Sequence, residues 1–132
     1  MTTGRAWVLD ASALLALLFD EPGSDLVERG LAASVISAVN LSEVMHKSLE
    51  RGVGVESLRD DLEALGVEVL AFDGDAAEEA ASLRLATKAA GLSLGDRACL
   101  ALARQLDLPA VTADRTWEGL ELPNPVAVVV IR

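Results

Sequence analysis

The stretch Ala6-Trp7-Val8-Leu9-Asp10-Ala11-Ser12-Ala13-Leu14-Leu15 decides the fold. Its first four residues form an apolar run of strand length, Asp10 interrupts that run, and residues 11–18 are strong helix formers. A strand that is apolar on both sides is typical of a parallel sheet covered by helices on both faces. The stretch therefore predicts a strand, a turn and a helix of an α/β protein.

The same alternation continues along the rest of the chain. Further apolar strands are predicted at 34–37, 67–70, 110–112 and 126–131. Further helices are predicted at 26–29, 39–51, 55–65, 75–90 and 94–106. We expect a single domain over residues 1–132, with a central parallel sheet of about five strands in a three-layer sandwich.

Composition excludes several classes of protein. Hydrophobic residues make up 52% of the chain and charged residues 24%, which is enough apolar material for a core and excludes disorder. The 11 Lys and Arg against 21 Asp and Glu give a net charge of −10, which excludes binding of nucleic acid through a generally basic surface. The single cysteine, Cys99, excludes an internal disulfide and favours a reducing, cytoplasmic location. No apolar run reaches the length of a bilayer span, so we expect no membrane association.

Two carboxylates lie just beyond the carboxyl ends of predicted strands. Asp10 follows the first strand, and Asp114 comes two residues after the strand at 110–112. Ligands of open parallel sheets bind beyond the carboxyl ends of the strands, so both positions are candidates for a site. Each residue is also a normal cap for a following helix or turn, which is the simpler interpretation of either one alone.

Asp96 lies on the apolar side of its predicted helix. At about 100° per residue, it falls within the arc that contains Cys99 and Leu100, whereas Arg97 and Arg104 lie on the other side. A buried carboxylate is costly unless it meets a cation or hydrogen-bond donors. Its place in the first turn of the helix, near the positive end of the dipole, is the alternative explanation.

Glu43 lies opposite the apolar residues of its helix, which predicts a solvent-exposed side chain. Residues 40–43 also have the pattern of a capping box, and Lys47 is placed for an ion pair one turn later. A metal site is suggested only when all four carboxylates are considered together. Four carboxylates at one sheet edge would repel one another unless a cation lay between them, and oxygen ligands suit Mg²⁺ or Mn²⁺.

Four segments resemble the motifs of the PIN domain family, and most closely those of the VapC-type toxins of toxin–antitoxin pairs. In chain order they are Val8-Leu9-Asp10-Ala11-Ser12-Ala13-Leu14-Leu15, Asn40-Leu41-Ser42-Glu43-Val44, Leu92-Ser93-Leu94-Gly95-Asp96-Arg97-Ala98 and Thr112-Ala113-Asp114-Arg115. The resemblance covers residues 6–131 and implies a five-stranded PIN-like sandwich and an endoribonuclease that depends on Mg²⁺ or Mn²⁺.

The resemblance also implies roles for particular residues. The catalytic pocket is formed by Asp10, Glu43, Asp96 and Asp114. Of these, Asp10, Asp96 and Asp114 are the metal ligands, and Glu43 orients or deprotonates the attacking water. Ser12 and Thr112 are polar supports.

The partners implied are an RNA substrate, a small cognate antitoxin protein that covers the pocket, and a second copy of the chain in a homodimer. Because the net charge is negative, RNA binding must rely on local cations. The candidates for these RNA contacts are Lys47, Arg97 and Arg115.

Two alternatives remain open at this point. A receiver-like phosphoacceptor domain would also place polar residues after its strands, as Asp10, Asp73 and Thr112 are placed, but the lysines of this chain lie far before its last strand. A degenerate PIN domain that only binds a partner would keep the fold and lose the metal.

Overall fold

Five parallel strands form the central sheet of residues 4–132, the part of the chain that the computed structural model describes. The strands are β1 (Trp7–Leu9), β2 (Ser34–Ser37), β3 (Glu68–Leu70), β4 (Ala110–Thr112) and β5 (Val128–Val130). Their order in the sheet is β3-β2-β1-β4-β5. The predicted parallel α/β fold is confirmed, and residues 1–3 of the predicted domain lie outside the described residues.

Helices cover both faces of the sheet. They are α1 (Ala11–Leu18), α2 (Ser24–Gly30), α3 (Ala38–Glu50), α4 (Leu58–Ala64), α5 (Gly74–Ser82), α6 (Arg84–Thr87) and α7 (Leu94–Leu106), with short 3-10 helices at Leu31–Ala33 and Arg115–Gly119. Within residues 4–132, none of these helices combines the length and the hydropathy needed to span a membrane.

The strands divide the core into two clusters, one on each face. Successive strand residues point to opposite faces, so Leu9 and Ile36 join the cluster beneath α1, α2 and α3. Their neighbours Val8 and Val35 join the cluster beneath α5 and α7. These four side chains are fully buried, which explains why the strands are apolar throughout.

One predicted helix is interrupted. The segment 75–90 forms α5 and α6, which are separated by Leu83, and the side chain of Leu83 is fully buried in the second cluster. Residues on both sides of the break are good helix formers, so local propensity gives no signal of it. Several other elements are shorter than predicted. The largest differences are in α4, which begins at Leu58 instead of residue 55, and in β5, which covers three residues of the predicted 126–131.

The strand order creates a crevice beside β1. The chain passes from β1 to β2 and β3 on one side of the sheet, and then places β4 and β5 on the other side. The connections that leave β1 and β4 therefore diverge, and such a switch point is where open α/β sheets bind ligands. Asp10 directly follows β1, and Ala113 and Asp114 follow β4, so both flank this crevice.

Candidate active site

Asp10 is a buried carboxylate at the carboxyl end of β1. Its residue surface is only 3% exposed. The side chain caps α1 by accepting a hydrogen bond from the Ala13 amide at 2.8 Å. The Ser12 hydroxyl donates to the two carboxylate oxygens at 2.8 and 2.9 Å, and the Thr112 hydroxyl donates to Oδ2 at 2.6 Å. Both predicted supporting hydroxyls thus contact Asp10.

The same two hydroxyls connect β1 to the loop after β4. Ser12 Oγ accepts from the Ala113 amide at 2.9 Å, and Thr112 Oγ1 accepts from the Asp114 amide at 3.0 Å. Each hydroxyl therefore accepts from the backbone and donates to the carboxylate, so neither is free to rotate. This network holds Asp10 in one orientation.

Burial is the largest influence on the ionisation of Asp10. Desolvation raises the pKa of Asp10 from 3.8 to about 6, although hydrogen bonds from Thr112, Ala13 and Ser12 lower it. The negative charge of Asp96 raises the pKa of Asp10 further, which places these two carboxylates within electrostatic reach. The pair concentrates negative charge at the switch point.

Asp96 lies half-buried in the first turn of α7. It forms a capping box with Ser93, whose amide donates to Asp96 Oδ2 at 2.9 Å and whose hydroxyl accepts from the Asp96 amide at 3.2 Å. The capping interpretation and the predicted position near the other carboxylates are thus compatible, because the first turn of α7 faces the crevice.

The structure corrects the interpretation of Glu43. Ser37, not Asn40, caps α3, so the predicted capping box over residues 40–43 is wrong. Glu43 is half-buried rather than solvent-exposed, because its side chain lies against the first turn of α7 at Gly95. Helical periodicity compares a residue only with neighbours on its own helix, and a second helix covers this face.

The pKa of Glu43 is raised, first by burial and then by the charge of Asp96. The positive charge of Lys47 and the hydrogen bond from Asn40 lower the pKa of Glu43. The charge of Asp96 thus raises the pKa of both Asp10 and Glu43, so each of these two carboxylates lies within electrostatic range of Asp96.

Asp114 is placed differently from the other three. It is exposed and begins the 3-10 helix Arg115–Gly119, where Oδ1 accepts from the amide and the hydroxyl of Thr116 at 2.9 and 2.8 Å. Its own amide binds Thr112, so its backbone belongs to the network around Asp10. Metal ligation by Asp114 stays a prediction.

Of the three predicted RNA contacts, Lys47 is the one beside the carboxylates. It lines a hollow of about 260 Å³ together with Ser42, Glu43 and His46. Arg97 instead donates to the Ala80 carbonyl on α5 at 3.4 Å, and Arg115 donates to the Arg132 carbonyl at 2.8 Å.

A larger groove adjoins this hollow at Ser42 and Glu43. Its volume is about 570 Å³, and its other lining residues come from the start of α3 and from the segment that follows β3: Ala38, Val39, Ala71 and Phe72. The Glu43 carboxylate therefore lies between a cationic side chain and an apolar groove with one aromatic ring.

Sequence reasoning missed the role of Gly95. A Cβ atom at this position would overlap with Glu43 Oε1, at the end of a flexible side chain, so the glycine allows the carboxylate to occupy its present position. A glycine within a helix is unfavourable and usually has a packing reason, which was the available signal.

The residues present fit a Mg²⁺ or Mn²⁺ ion held by two carboxylates. Within residues 4–132, no three Asp, Glu, His or Cys side chains are arranged to enclose a metal ion. Mg²⁺ commonly takes only one or two protein carboxylates and fills its shell with water and phosphate oxygens. Asp10 and Asp96 would supply such a pair, and a dication would offset the desolvation that raises the pKa of Asp10.

The PIN domain family model matches residues 7–121. The chain belongs to the PIN domain family. The matched range includes all four carboxylates that the motifs indicated, together with the crevice between β1 and β4. The resemblance seen in the sequence is thereby confirmed at the level of the family.

Solved structures share the fold of this PIN domain. A toxin–antitoxin complex from Klebsiella pneumoniae has 22% identity and a TM-score of 0.72, over 96% of this chain and 98% of that chain. DNA-bound VapBC from Salmonella typhimurium has 19% identity and a TM-score of 0.71, over 97% and 99%. VapC20 from Mycobacterium tuberculosis, described as a sarcin-ricin loop cleaving toxin, has 18% identity and a TM-score of 0.69, over 91% and 100%. The search of curated proteins returned no match.

Proposed function

We propose that this PIN domain is an endoribonuclease dependent on Mg²⁺ or Mn²⁺, and that it acts as the VapC-type toxin of a toxin–antitoxin pair. The observation that carries the proposal is the state of Asp10, a buried carboxylate with a pKa of about 6 beside Asp96 at the switch point. Strongly shifted carboxylates in a crevice are typical of catalytic sites. A divalent cation is the partner that makes this pair favourable at neutral pH.

Asp10 and Asp96 would hold the ion, and the hydrogen bonds from Ser12 and Thr112 fix the Asp10 carboxylate in one orientation. When bound, the ion supplies neutralisation of phosphate charge and a water molecule of lowered pKa. Asp114 would be a further ligand if its carboxylate gave up the hydrogen bond from Thr116.

Glu43 is the general base in this proposal. The pKa of Glu43 is raised toward neutral pH. A general base works best when its pKa lies near the working pH. Glu43 takes a proton from the attacking water, whose oxygen forms a bond to phosphorus. The bond from phosphorus to the 3′ oxygen breaks in line, and that oxygen takes a proton from the solvent, which leaves a 5′-phosphate and a 3′-hydroxyl. Glu43 then releases its proton to the solvent.

RNA would approach over Glu43, since Lys47 and the apolar groove lie on either side of this residue. Lys47 provides a local positive charge for a phosphate in a chain whose net charge is −10. Arg97 and Arg115 contribute only if they leave their backbone partners.

A cognate antitoxin that covers this pocket is part of the proposal, as is a homodimer. The solved structures of similar fold include a toxin–antitoxin complex and a DNA-bound VapBC complex, which supports a protein partner for this chain. Co-expression with the product of a short adjacent reading frame tests this directly. The expected result is a co-purifying complex that does not cleave RNA; normal cleavage by the complex would contradict it.

The nuclease proposal is tested by cleavage of single-stranded RNA with Mn²⁺. Asp10→Asn and Asp96→Asn are expected to lower the rate by more than about 100-fold and to leave the far-UV spectrum unchanged. Asp60→Asn, a substitution at an exposed site in α4, is the matched control and should cleave normally. Full activity of either pocket variant would refute the assignment.

The two alternatives predict other outcomes. Absence of Mn²⁺ binding in calorimetry would favour a degenerate binding module. Stoichiometric labelling by a small phosphodonor without cleavage would favour a receiver-like domain, although membership of the PIN family and the burial of Asp10 argue against that.

A further inference from the structure

The side chain of Asn40 bridges α3 and α7. Asn40 is 1% exposed and lies one turn before Glu43 in α3. Its Nδ2 donates to Glu43 Oε1 at 3.2 Å and to the Gly95 carbonyl oxygen at 3.0 Å. The amide group therefore uses both of its hydrogens to connect the carboxylate to the first turn of the neighbouring helix.

The orientation of this amide follows from its neighbours. With Oδ1 and Nδ2 exchanged, Oδ1 would face two acceptors, the Glu43 carboxylate and the Gly95 carbonyl, and both contacts would be repulsive. In the orientation observed, Oδ1 is buried and has no hydrogen-bond partner. An unpaired buried acceptor destabilises the folded state.

The contact of Asn40 with Gly95 adds to a hydrogen bond that α7 already forms. The Gly95 carbonyl lies inside α7, where the amide four residues later is its ordinary partner. The hydrogen bond from Asn40 to Gly95 is thus an additional one, and the same side chain leaves its Oδ1 atom without a hydrogen-bond partner. The side chain that depends on Asn40 is Glu43, because a half-buried glutamate has several rotamers and the bridge selects one of them.

We propose that Asn40 is a positioning residue, whose amide holds the Glu43 carboxylate at the first turn of α7. This inference rests on the proposed function, in which Glu43 is the general base. Gly95 completes the arrangement by leaving out the Cβ atom that would occupy the place of Glu43 Oε1. Without the bridge, Glu43 is free to turn toward the hollow that contains Lys47.

The first test is spectroscopic and needs neither metal nor RNA. The chain contains three side-chain amides, Asn40, Gln105 and Asn124, so an ¹⁵N-labelled sample gives three NH₂ pairs. The Asn40 pair is identified by its loss in Asn40→Asp. It should exchange with solvent far more slowly than the pairs of Gln105 and Asn124, which are exposed. Glu43→Gln should shift the Asn40 pair, whereas Asp60→Asn should not. Fast exchange, or an Asn40 pair that does not respond to Glu43→Gln, would overturn the bridge.

The second test separates positioning from folding. Asn40→Leu keeps a similar volume and removes both the bridge and the unpaired oxygen. We expect kcat to fall by up to about 100-fold, KM for RNA to stay within about threefold, and Tm not to decrease. Asn40→Asp keeps the shape without the donors and should show the same loss of kcat, which covers the case in which the leucine variant does not fold. Asn124→Asp, on the exposed surface, is the control and should match the wild type.

The outcomes of the two tests are distinct. Wild-type kcat in both Asn40 variants would overturn the positioning role, and so would a fall in Tm with kcat and KM unchanged. If the wild-type chain cleaves no RNA, the proposed function fails, but the NMR measurement still decides whether Asn40 holds Glu43.

Discussion

The Thr112 hydroxyl donates a 2.6 Å hydrogen bond to Asp10 Oδ2, joining residues that are 102 positions apart in the sequence. The bond crosses the switch point between β1 and β4. The Thr112 hydroxyl oxygen, Oγ1, in turn accepts a hydrogen bond from the Asp114 amide at 3.0 Å. One side chain thus connects the two loops that form the pocket and contributes to the ionisation of its most buried carboxylate.

Removal of this hydroxyl should raise the pKa of Asp10 in the metal-free protein. The hydrogen bond from Thr112 stabilises the ionised form and lowers the pKa, so Thr112→Val loses that effect while burial remains. Thr112→Ser retains the hydroxyl and should titrate like the wild type. Carboxyl ¹³C chemical shifts of Asp10 followed over pH provide the measurement, and equal midpoints in all three proteins would contradict the prediction.

Asp10 should make the metal-free protein less stable as the pH rises. Its folded pKa is raised from 3.8 to about 6, so the folded state binds the proton more tightly than the unfolded state does. The contribution to stability is fully present below about pH 4 and is lost as the pH passes through 6. At roughly 1.4 kcal/mol per pKa unit, the loss is about 3 kcal/mol.

Asp10→Asn does not titrate at this position and serves as the reference. The free energy of unfolding of Asp10→Asn minus that of the wild type should rise by roughly 2 kcal/mol between pH 4 and pH 7. Urea denaturation at a series of pH values measures it. A difference that stays constant over this range would show that Asp10 has an ordinary pKa.

Divalent cations should raise Tm at neutral pH. A ligand that binds only the folded state at 100 times its Kd stabilises it by about 2.7 kcal/mol, which corresponds to several degrees for a chain of this size. Thermal unfolding with and without Mn²⁺ measures the shift. Asp10→Asn should lose it and Asp60→Asn should keep it; a shift retained in Asp10→Asn would place the ion elsewhere.

Gly95→Ala should impair cleavage more than stability. Alanine is favoured over glycine within a helix by about 1 kcal/mol, but its Cβ would lie 1.7 Å from Glu43 Oε1, so the carboxylate must move. We expect a large loss of kcat with a small change in Tm. Gly74→Ala, at the start of α5, is the control because its Cβ would meet no atom within 4 Å. Equal rates for the two variants would contradict the proposed position of Glu43.

The two lysines of the chain form a matched pair for RNA binding. Lys47 lies beside Glu43, whereas Lys88 is an exposed residue just after α6. Lys47→Ala should lower kcat/KM and reduce the slope of log kcat/KM against log salt by about 1, and Lys88→Ala should change neither. The same salt dependence in both variants would remove Lys47 from the RNA path.

The strands and the position of Asp10 could be predicted from the sequence because they depend on local patterns. Fully apolar runs indicate buried parallel strands, and a polar residue directly after such a run must lie at the carboxyl edge of the sheet. The burial of Asp10 and the proximity of Asp96 follow from these rules once the strand order is known.

Features that depend on contacts between helices could not be predicted in this way. The prediction that Glu43 is exposed was wrong because α7 covers that side of α3. The pattern of residues 38–50 contains no information about contact with α7. The break at Leu83 also has no local signal, since the side chain there is a fully buried leucine and not a glycine or proline. The role of Asn40 was hidden because the same residues also have the pattern of a helix cap.

The separation between Asp10 and Thr112 has a consequence during translation. A ribosome adds about 5–20 residues per second, so Thr112 is synthesised roughly 5–20 s after Asp10. Throughout that interval the nascent chain has no β4 to place beside β1, and the hydroxyl that fixes Asp10 does not yet exist. The nascent chain therefore presents an assembled pocket only after all residues as far as Thr112 have been synthesised and have left the ribosome.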